Sequence, residues 1–267
     1  MTTMSYVHAG AGFASELRRL RLLEARYDAG TVRRIKAVCG SLDGARCLEV
    51  GAGAGSTARW LAGQVGRHGR VVATDIDCRF LRGLGTPNLE VRQHDIEVDN
   101  VEEASYDLVH CRAVLLHLSD PGRALGRMAA ALRPGGVLLV EDADFVSLVA
   151  ALPQHALAPG FDRTMNRVTA FLASQGCMDP WFGRRLPGLV DDLGLGRGAF
   201  ETTVARRGGG SPEARLLEQS TARVYEPMIS VGLLTGADVD TLRRATADPS
   251  FMFFDAVSVA AWGRRAS

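Results

Sequence analysis

Short apolar runs alternate with amphipathic segments through the middle of the chain. The runs predict five buried strands, at 46–50, 70–74, 89–92, 106–110 and 136–141. Between them, apolar residues recur at helical spacing and predict helices at 56–65, 80–84 and 121–132. Asp120 is placed to cap the last of these helices. Strands that are apolar on both faces and alternate with helices are typical of a parallel sheet covered on both sides. The pattern therefore predicts an α/β fold with a doubly wound, mostly parallel sheet.

The two flanks of this region have different patterns. Upstream, helical spacing predicts two helices, at 13–27 and 32–42, separated by a break at 28–30. Downstream, the pattern predicts helices at 145–180 and 184–193 and strands at 200–205 and 255–262, with a flexible glycine joint at 208–210. The two late strands predict an antiparallel C-terminal edge of the sheet. We expect a single domain, 1–267, that consists of an N-terminal helical lid (1–44), a ligand-binding core (45–144), a helical cap insertion (145–180) and a C-terminal completion of the sheet (181–267).

Composition and charge exclude several classes of protein. Hydrophobic residues make up 46% and charged residues 23% of the chain, which is typical of a globular domain. The 31 basic and 30 acidic residues give a net charge of +1, so no electrostatic footprint for nucleic acid is present. The five cysteines are widely spaced without a CxxC pair, which argues against disulfides or structural zinc. Since no leader pattern or long apolar run is found either, we expect a cytoplasmic protein with no membrane partner.

A glycine-rich turn is the strongest chemical signal. Gly51, Gly53 and Gly55 lie where the first predicted strand gives way to a helix. Glycines there allow a tight turn and a close approach of the backbone to a ligand, while the helix directs free N–H groups towards it. Asp75 ends the next strand, twenty residues after Gly55. A carboxylate at that place accepts hydrogen bonds from both ribose hydroxyls of an adenosine group, the alternative being an ordinary loop aspartate. Asp77 is assigned to local turn chemistry.

Several motifs together resemble one enzyme family. Glu49 precedes the glycines, and four further pieces follow in order: Asp75, His94-Asp95-Ile96, Tyr106-Asp107-Leu108-Val109 and Leu132-Arg133-Pro134-Gly135-Gly136. Over roughly 45–142 the chain resembles a class I S-adenosylmethionine-dependent methyltransferase of the Rossmann-like kind. The segment 182–187 and the arginine-rich first helix are similar to small-molecule methyltransferases of bacterial secondary metabolism, which suggests antibiotic biosynthesis.

This resemblance implies a cofactor site for S-adenosyl-L-methionine, with S-adenosyl-L-homocysteine as the product. It implies that the glycines lie against the methionine and ribose, that Asp95 takes the adenine amino group beside Ile96, and that His110 contributes a backbone carbonyl. The implied cofactor-binding set is Glu49, Gly51, Ala52, Gly53, Gly55, Asp75, Ile76, Asp95, Ile96 and His110.

Candidates for catalysis follow the fourth strand. Ligands of open α/β sheets bind beyond the carboxyl ends of the strands, which is where Arg112 and His117 emerge. His117 is a candidate base or substrate-orienting group, or it packs beneath the next helix. Arg112 either binds a carboxylate or fixes the loop. A base is needed only if the methyl acceptor has a proton to lose.

Aromatic residues are candidates for an acceptor pocket. Five are selected: Tyr6, Phe145, Phe161, Trp181 and Tyr225. An aromatic-lined pocket would suit a flat, mostly apolar acceptor, although aromatics at helical spacing also form ordinary core. No metal is expected, because the sequence shows no cluster of Asp, Asn and His ligands after the fifth strand. The acids Glu141, Asp142 and Asp144 come close, but they are equally explained as strand-end acids near a cationic cofactor.

The favoured hypothesis is methyl transfer to an O, N or C atom of a small-molecule acceptor, an aromatic secondary metabolite. Three alternatives are retained. A nicotinamide-dependent enzyme would have a glycine where Ser56 stands. An RNA or protein methyltransferase would need a basic groove. A relative that binds the nucleoside without methylating, and catalyses a rearrangement or regulates, is compatible with the same site. A homo-oligomer is left open.

Overall fold

A computed structural model describes residues 12–267 of the chain, apart from the side chain of Arg197. The described residues form two compact units. The first, called here the sheet unit, comprises 27–142, 182–201 and 259–267. The second, called the helical unit, comprises 12–26, 143–181 and 202–258. The single domain with a cap at 145–180 stays a prediction.

Nine strands are found among the described residues. They are β1 (Arg46–Val50), β2 (Arg70–Asp75), β3 (Leu89–Gln93), β4 (Tyr106–Arg112), β5 (Leu132–Asp144), β6 (Gly196–Thr203), β7 (Arg206–Gly208), β8 (Met252–Phe254) and β9 (Val257–Arg264). Seven of them form a sheet in the order β3-β2-β1-β4-β5-β9-β6, and the first five of these pair in parallel. β9 runs antiparallel to β5, since Arg265 beyond its end bonds Gly135 and Gly136 near the start of β5. The predicted fold class is confirmed.

Seven α-helices accompany the strands in residues 12–267. They are α1 (Phe13–Cys39), α2 (Ser56–Val65), α3 (Pro121–Ala131), α4 (Ala158–Ser174), α5 (Leu186–Asp191), α6 (Pro212–Ser230) and α7 (Gly236–Ala247). Asp120 caps α3 as predicted, because its side chain accepts from the backbone N–H of Arg123. No helix in the described part of the chain has both the length and the apolar character that a membrane crossing requires.

The predicted break at 28–30 is wrong, because α1 is one continuous helix. A helical glycine costs about 1 kcal/mol relative to alanine, but Gly30 has a specific neighbour. A Cβ at this position would lie 3.1 Å from the guanidinium of Arg34, so the glycine makes room for that side chain. Asp28 bonds Arg112, 84 residues further along the chain. The residues that suggested a break are used for tertiary contacts.

The predicted flexible joint at 208–210 is also wrong. Gly208 ends β7, which pairs with β8 in an antiparallel ribbon of the helical unit. The N–H of Gly209 donates to Phe251, and a Cβ at Gly209 would lie 2.1 Å from the carbonyl oxygen of Asp248. The glycine is therefore required for a close approach of two backbone segments.

Each unit has its own apolar core. In the sheet unit, Ile35 of α1 and Leu61 of α2 share a buried cluster with strand residues such as Val71 and Leu139. In the helical unit, Phe161 of α4 and Leu242 of α7 lie in a second cluster with residues of α6 and β8. The cores account for the helical periodicity and the apolar strands seen in the sequence.

Candidate functional site

The glycine turn between β1 and α2 has a tightly turned backbone, as the sequence predicts. Gly51, Gly53 and Gly55 have φ angles of 69°, 57° and 84°, in the region that favours glycine. A Cβ at Gly51 would lie 2.2 Å from Cγ2 of Val114, and a Cβ at Gly55 would lie 2.2 Å from Cδ1 of Leu84. Two of the glycines therefore allow close packing of neighbouring segments, and the turn 51–53 itself stays half-buried.

Asp75 connects the end of β2 to this turn. Its Oδ2 accepts a hydrogen bond from the backbone N–H of Gly53 at 2.8 Å, and its Oδ1 accepts one from Asp77 at 2.9 Å. Burial raises the pKa of Asp75, although these hydrogen bonds oppose the shift. The side chain of Ile76 beside it is 54% exposed. Asp77 itself caps a short helix and pairs with Arg79, which supports its assignment to turn chemistry.

Asp95 and Ile96 lie just after β3. Oδ1 of the half-buried Asp95 accepts from the backbone N–H of Glu97 at 2.9 Å, and its own N–H donates to Asp99. Ile96 is 4% exposed, and its carbonyl accepts from the guanidinium of Arg127. The carboxyl ends of β1, β2 and β3 thus carry the glycine turn, Asp75 and Asp95 along one edge of the sheet.

A buried cluster of charged side chains lies below this edge. Nδ1 of His110 in β4 is 2.7 Å from Oε2 of Glu49 in β1, and Nε2 is 3.5 Å from Oε1 of Glu141 in β5. Arg34 of α1 donates to Oε2 of Glu141 at 2.8 Å and also bonds Glu201. Glu49 and His110 were selected from the sequence for cofactor contact; the structure places both side chains within this cluster. Sequence reasoning missed Arg34 and Glu201, because Arg34 meets Glu141 and Glu201 across 107 and 167 residues of sequence.

The charges in this cluster determine each other's protonation. Burial disfavours the charged form of His110, but Glu49 and Glu141 outweigh it and raise the pKa of His110 to about 9. Burial likewise opposes ionisation of Glu141, but His110 and Arg34 outweigh it and lower the pKa of that carboxyl. The raised pKa of His110 favours its protonated form, with the acids of Glu49 and Glu141 as neighbours.

Arg112 is the last residue of β4, and His117 lies in the loop that follows this strand. The guanidinium of Arg112 donates to Thr31 and to Asp28, each at 2.9 Å, and lies over the ring of Tyr27. These contacts favour the role in which Arg112 fixes the loop. His117 is half-buried and ends a single helical turn, Leu115–His117. Ala113, just before this turn, has a positive φ of 57°.

Four of the five predicted acceptor-pocket aromatics belong to the helical unit. Phe161 is fully buried, with its ring centroid 4.9 Å from that of Phe251, and Tyr225 is 4% exposed with its hydroxyl bonded to Thr221. Phe145 packs against the same core, whereas Trp181 is 42% exposed. Tyr6 lies outside the described residues. Contact of these aromatics with an acceptor stays a prediction, and for Phe161 and Tyr225 the burial favours a core role.

A family model described as a methyltransferase domain matches residues 20–186, which is more than half of the chain. The chain belongs to this methyltransferase family. The resemblance to S-adenosylmethionine-dependent methyltransferases of the Rossmann-like kind is thereby confirmed.

Curated relatives agree with this assignment. The chain is 32% identical to methyltransferase str2 of Strobilurus tenacellus over 53% of this chain and 50% of that protein. It is 35% identical to the ubiquinone biosynthesis O-methyltransferase of Xylella fastidiosa over 38% of this chain and 43% of that protein. A longer match, at 29% identity over 81% of this chain and 61% of the relative, is to an uncharacterized 37.1 kDa transposon protein of Streptomyces fradiae. The chain therefore spans about half of the length of the str2 protein and about three-fifths of the length of the Streptomyces fradiae protein.

Solved structures share the fold. The YcgJ protein of Bacillus subtilis matches with a TM-score of 0.58 at 17% identity, over 90% of this chain and 100% of that one. Phosphoethanolamine N-methyltransferase 2 of Haemonchus contortus, in complex with phosphomonomethylethanolamine and S-adenosylhomocysteine, matches with a TM-score of 0.57 at 16% identity, over 90% and 53% of the two chains.

The residues of this methyltransferase domain fit an adenosine-containing donor. Asp75 presents a fixed carboxylate that retains further acceptor capacity for ribose hydroxyls. The exposed side chain of Ile76 offers apolar surface next to it for a base. The backbone of 51–53 is half-buried and leads into the N-terminus of α2, the end of a helix that favours an anionic or polar ligand.

Proposed function

We propose that the chain transfers a methyl group from S-adenosyl-L-methionine to a small-molecule acceptor. The observation that carries the proposal is the Asp75 carboxylate, which is held by the N–H of Gly53 beside the glycine turn, with exposed Ile76 next to it. A nucleoside site of this form at the end of β2 suits the donor of the family to which the chain belongs.

Each part of the site has a proposed task. Gly51, Ala52, Gly53 and Gly55 bind the methionine and ribose part through backbone groups, and Asp75 accepts hydrogen bonds from the ribose. Asp95, Ile76 and Ile96 bind the adenine. S-adenosyl-L-methionine supplies, when bound, a methyl group on a positively charged sulfur, which is an activated leaving group. The chain's remaining task is to orient the acceptor and exclude water.

His117 is proposed as the residue that orients the acceptor or removes its proton. It follows β4, at the edge of the sheet where ligands of α/β proteins bind. An imidazole has the pKa that suits proton transfer near neutral pH. Arg112 is proposed to fix the loop that carries His117, since Asp28 and Thr31 hold its guanidinium.

The acceptor is proposed to be an aromatic or quinone-like small molecule of secondary metabolism. The relative from Xylella fastidiosa is a ubiquinone biosynthesis O-methyltransferase. The balanced charge of the chain, with 31 basic and 30 acidic residues, gives no support to an RNA acceptor. A cytoplasmic location is part of the same proposal and rests on the cysteine spacing.

The test is an acceptor screen in which methyl-labelled S-adenosyl-L-methionine is offered with phenols, hydroxyquinones, amines, a mixed RNA and a peptide pool. The proposal expects the label in one small molecule, with formation of S-adenosylhomocysteine that depends on that acceptor. His117→Gln should lower kcat while donor affinity stays unchanged, and His68→Gln, at an exposed turn, serves as the control. Label in RNA or peptide only would contradict the small-molecule acceptor.

A further inference from the structure

The buried His110 of β4 bonds Glu49 of β1 and lies 3.5 Å from Glu141 of β5, directly below the proposed donor site. In the parallel pairing of β1 with β4, Glu49 lies opposite His110, and in that of β4 with β5, Arg112 lies opposite Glu141. Side chains two residues apart on a strand share a face, so Glu49, His110 and Glu141 project from the same face. Their exposed fractions are 3%, 0% and 2%. The three ionisable side chains therefore form a cluster in the protein interior.

Charge balance explains how these groups are tolerated in the interior. Two buried carboxylates and one histidine are stable together when the histidine carries a proton and a further cation is present. Arg34, 5% exposed, supplies that cation at 2.8 Å from Glu141. The charged groups that face the cluster from the packed elements are Arg33 and Arg34 of α1, Glu49 of β1, Arg112 of β4, Glu141 of β5 and Glu201 of β6.

The same strands end immediately above His110 in the two loops of the proposed site. Glu49 is two residues before Gly51, and His110 is three residues before Ala113, whose φ of 57° turns the chain sharply. The N–H of Ala113 donates to the backbone of Glu141. The two loops meet where Gly51 packs against Val114 so closely that no Cβ is accommodated. The separation of β1 and β4 at the level of Glu49 and His110 therefore sets how the loops fit.

We infer that His110, held between Glu49 and Glu141, is a positioning residue that sets the spacing of the glycine turn 51–55 and the loop 113–117 for donor binding. Glu49 acts through His110 and not by direct contact with the donor. The inference rests on the proposed donor site. Glu49, the acid in front of the glycines, thus has a role within the sheet. The burial of Glu49 and its 2.7 Å contact with His110 support this role.

The binding test uses S-adenosylhomocysteine and calorimetry on the full chain, so no acceptor is needed. Glu49→Gln and His110→Gln should each weaken binding about tenfold, an effect usual for coupling between a site and a group outside it. The double variant should lose no more than either single variant, because both changes remove one link. Glu103→Gln and His68→Gln, at exposed positions, are matched controls expected to bind like the wild type. Single variants that bind within about twofold of the wild type, or losses that multiply in the double variant, would overturn the inference.

A second measurement follows the protonation of His110 itself. Imidazole nitrogen chemical shifts, recorded without ligand in the wild type and in Glu49→Gln, should show both nitrogens protonated at neutral pH in the wild type. The titration should move to lower pH in Glu49→Gln, because one of the two flanking carboxylates is lost. A neutral His110 in the wild type, or an unchanged titration in Glu49→Gln, would contradict the inference even if His110→Gln does not fold.

The outcome for Asp75→Ala separates this inference from the proposed function. If Asp75→Ala binds S-adenosylhomocysteine like the wild type, the proposed donor site is wrong. If Asp75→Ala loses affinity and the His110 variants do not, the donor site stands and the positioning role is wrong.

Discussion

The interiors of the two units differ in kind. The core cluster of the helical unit is apolar, and its rings of Phe161, Phe251 and Phe253 pack at 4.9 and 5.8 Å. Its buried ion pair, Glu16 with Arg19, lies within one helix and joins no separate elements. The sheet unit contains, besides its apolar cluster, the buried charges of Glu49, His110, Glu141 and Arg34. Burial of apolar side chains stabilises the folded state without directional contacts. Burial of a charged side chain lowers the stability of the folded state unless the charge has a partner.

The difference teaches where each kind of interior is useful. The hydrogen bond between His110 and Glu49 joins β4 to β1, and in the sheet unit it lies just below the glycine turn. In the helical unit, burial in the apolar core explains the positions of Phe161, Phe251 and Phe253. Changes in the first interior should therefore alter ligand binding, and changes in the second should alter stability alone.

The largest expected effect is on stability, from Phe161→Ala. Removing a fully buried phenylalanine should lower the free energy of unfolding by about 4 kcal/mol, since a cavity remains. Donor affinity of the folded protein should stay unchanged. Urea unfolding and calorimetry with S-adenosylhomocysteine check both parts. Phe254→Ala, at a 39% exposed position of the same unit, is the control and should cost far less. A loss of donor affinity in Phe161→Ala would break the comparison.

The pH dependence of stability tests the charged interior. The pKa of His110 is raised from 6.5 to about 9, so its contribution is fully present below pH 6.5 and is lost as the pH rises through about 9. The free energy of unfolding should fall across this window by up to about 3 kcal/mol. Urea unfolding at a series of pH values measures it, and His110→Gln should remove the dependence. A flat wild-type profile between pH 6.5 and 9 would contradict an imidazolium in this cluster.

A smaller effect is expected at the glycine turn. Gly51→Ala combines a left-handed φ with a contact of 2.2 Å to Val114, while Gly83→Ala has a φ of 84° and no neighbouring atom within 4 Å. We expect a cost of about 2 kcal/mol for the first variant and about 1 kcal/mol for the second. Only Gly51→Ala should weaken binding of S-adenosylhomocysteine. Equal binding losses in both variants would show that the loop fit is unimportant.

Local sequence signals predicted β1, the glycine turn and α2 correctly. The bounds of β1 and α2 were predictable because an apolar run, three glycines and a helical period follow one another within twenty residues. The fold class followed from the same alternation, and the family from motifs of this region.

Features that depend on distant partners were not predictable. Asp28, which suggested a break in α1, bonds Arg112, 84 residues away. β5 begins four residues earlier than predicted, where Leu132 pairs with Tyr106 and where Gly135 and Gly136 bond Arg265. The partnership of Glu49 with His110 joins residues 61 positions apart and follows only from strand register. Phe161 was selected as an acceptor-pocket residue and is fully buried in the core. The sequence does not separate these two roles, because an aromatic residue at helical spacing has the same pattern in a core and in a pocket.

The most direct test of the donor site is the affinity of Asp75→Ala for S-adenosylhomocysteine, measured by calorimetry beside Asp77→Ala. The control changes a carboxylate two residues away and keeps the backbone N–H that donates to Asp75. We predict that Asp75→Ala binds at least about tenfold more weakly, because charged hydrogen bonds to the ribose are lost. Asp77→Ala should bind like the wild type. Equal affinity of Asp75→Ala and the wild type would contradict the assignment of this edge of the sheet as the donor site.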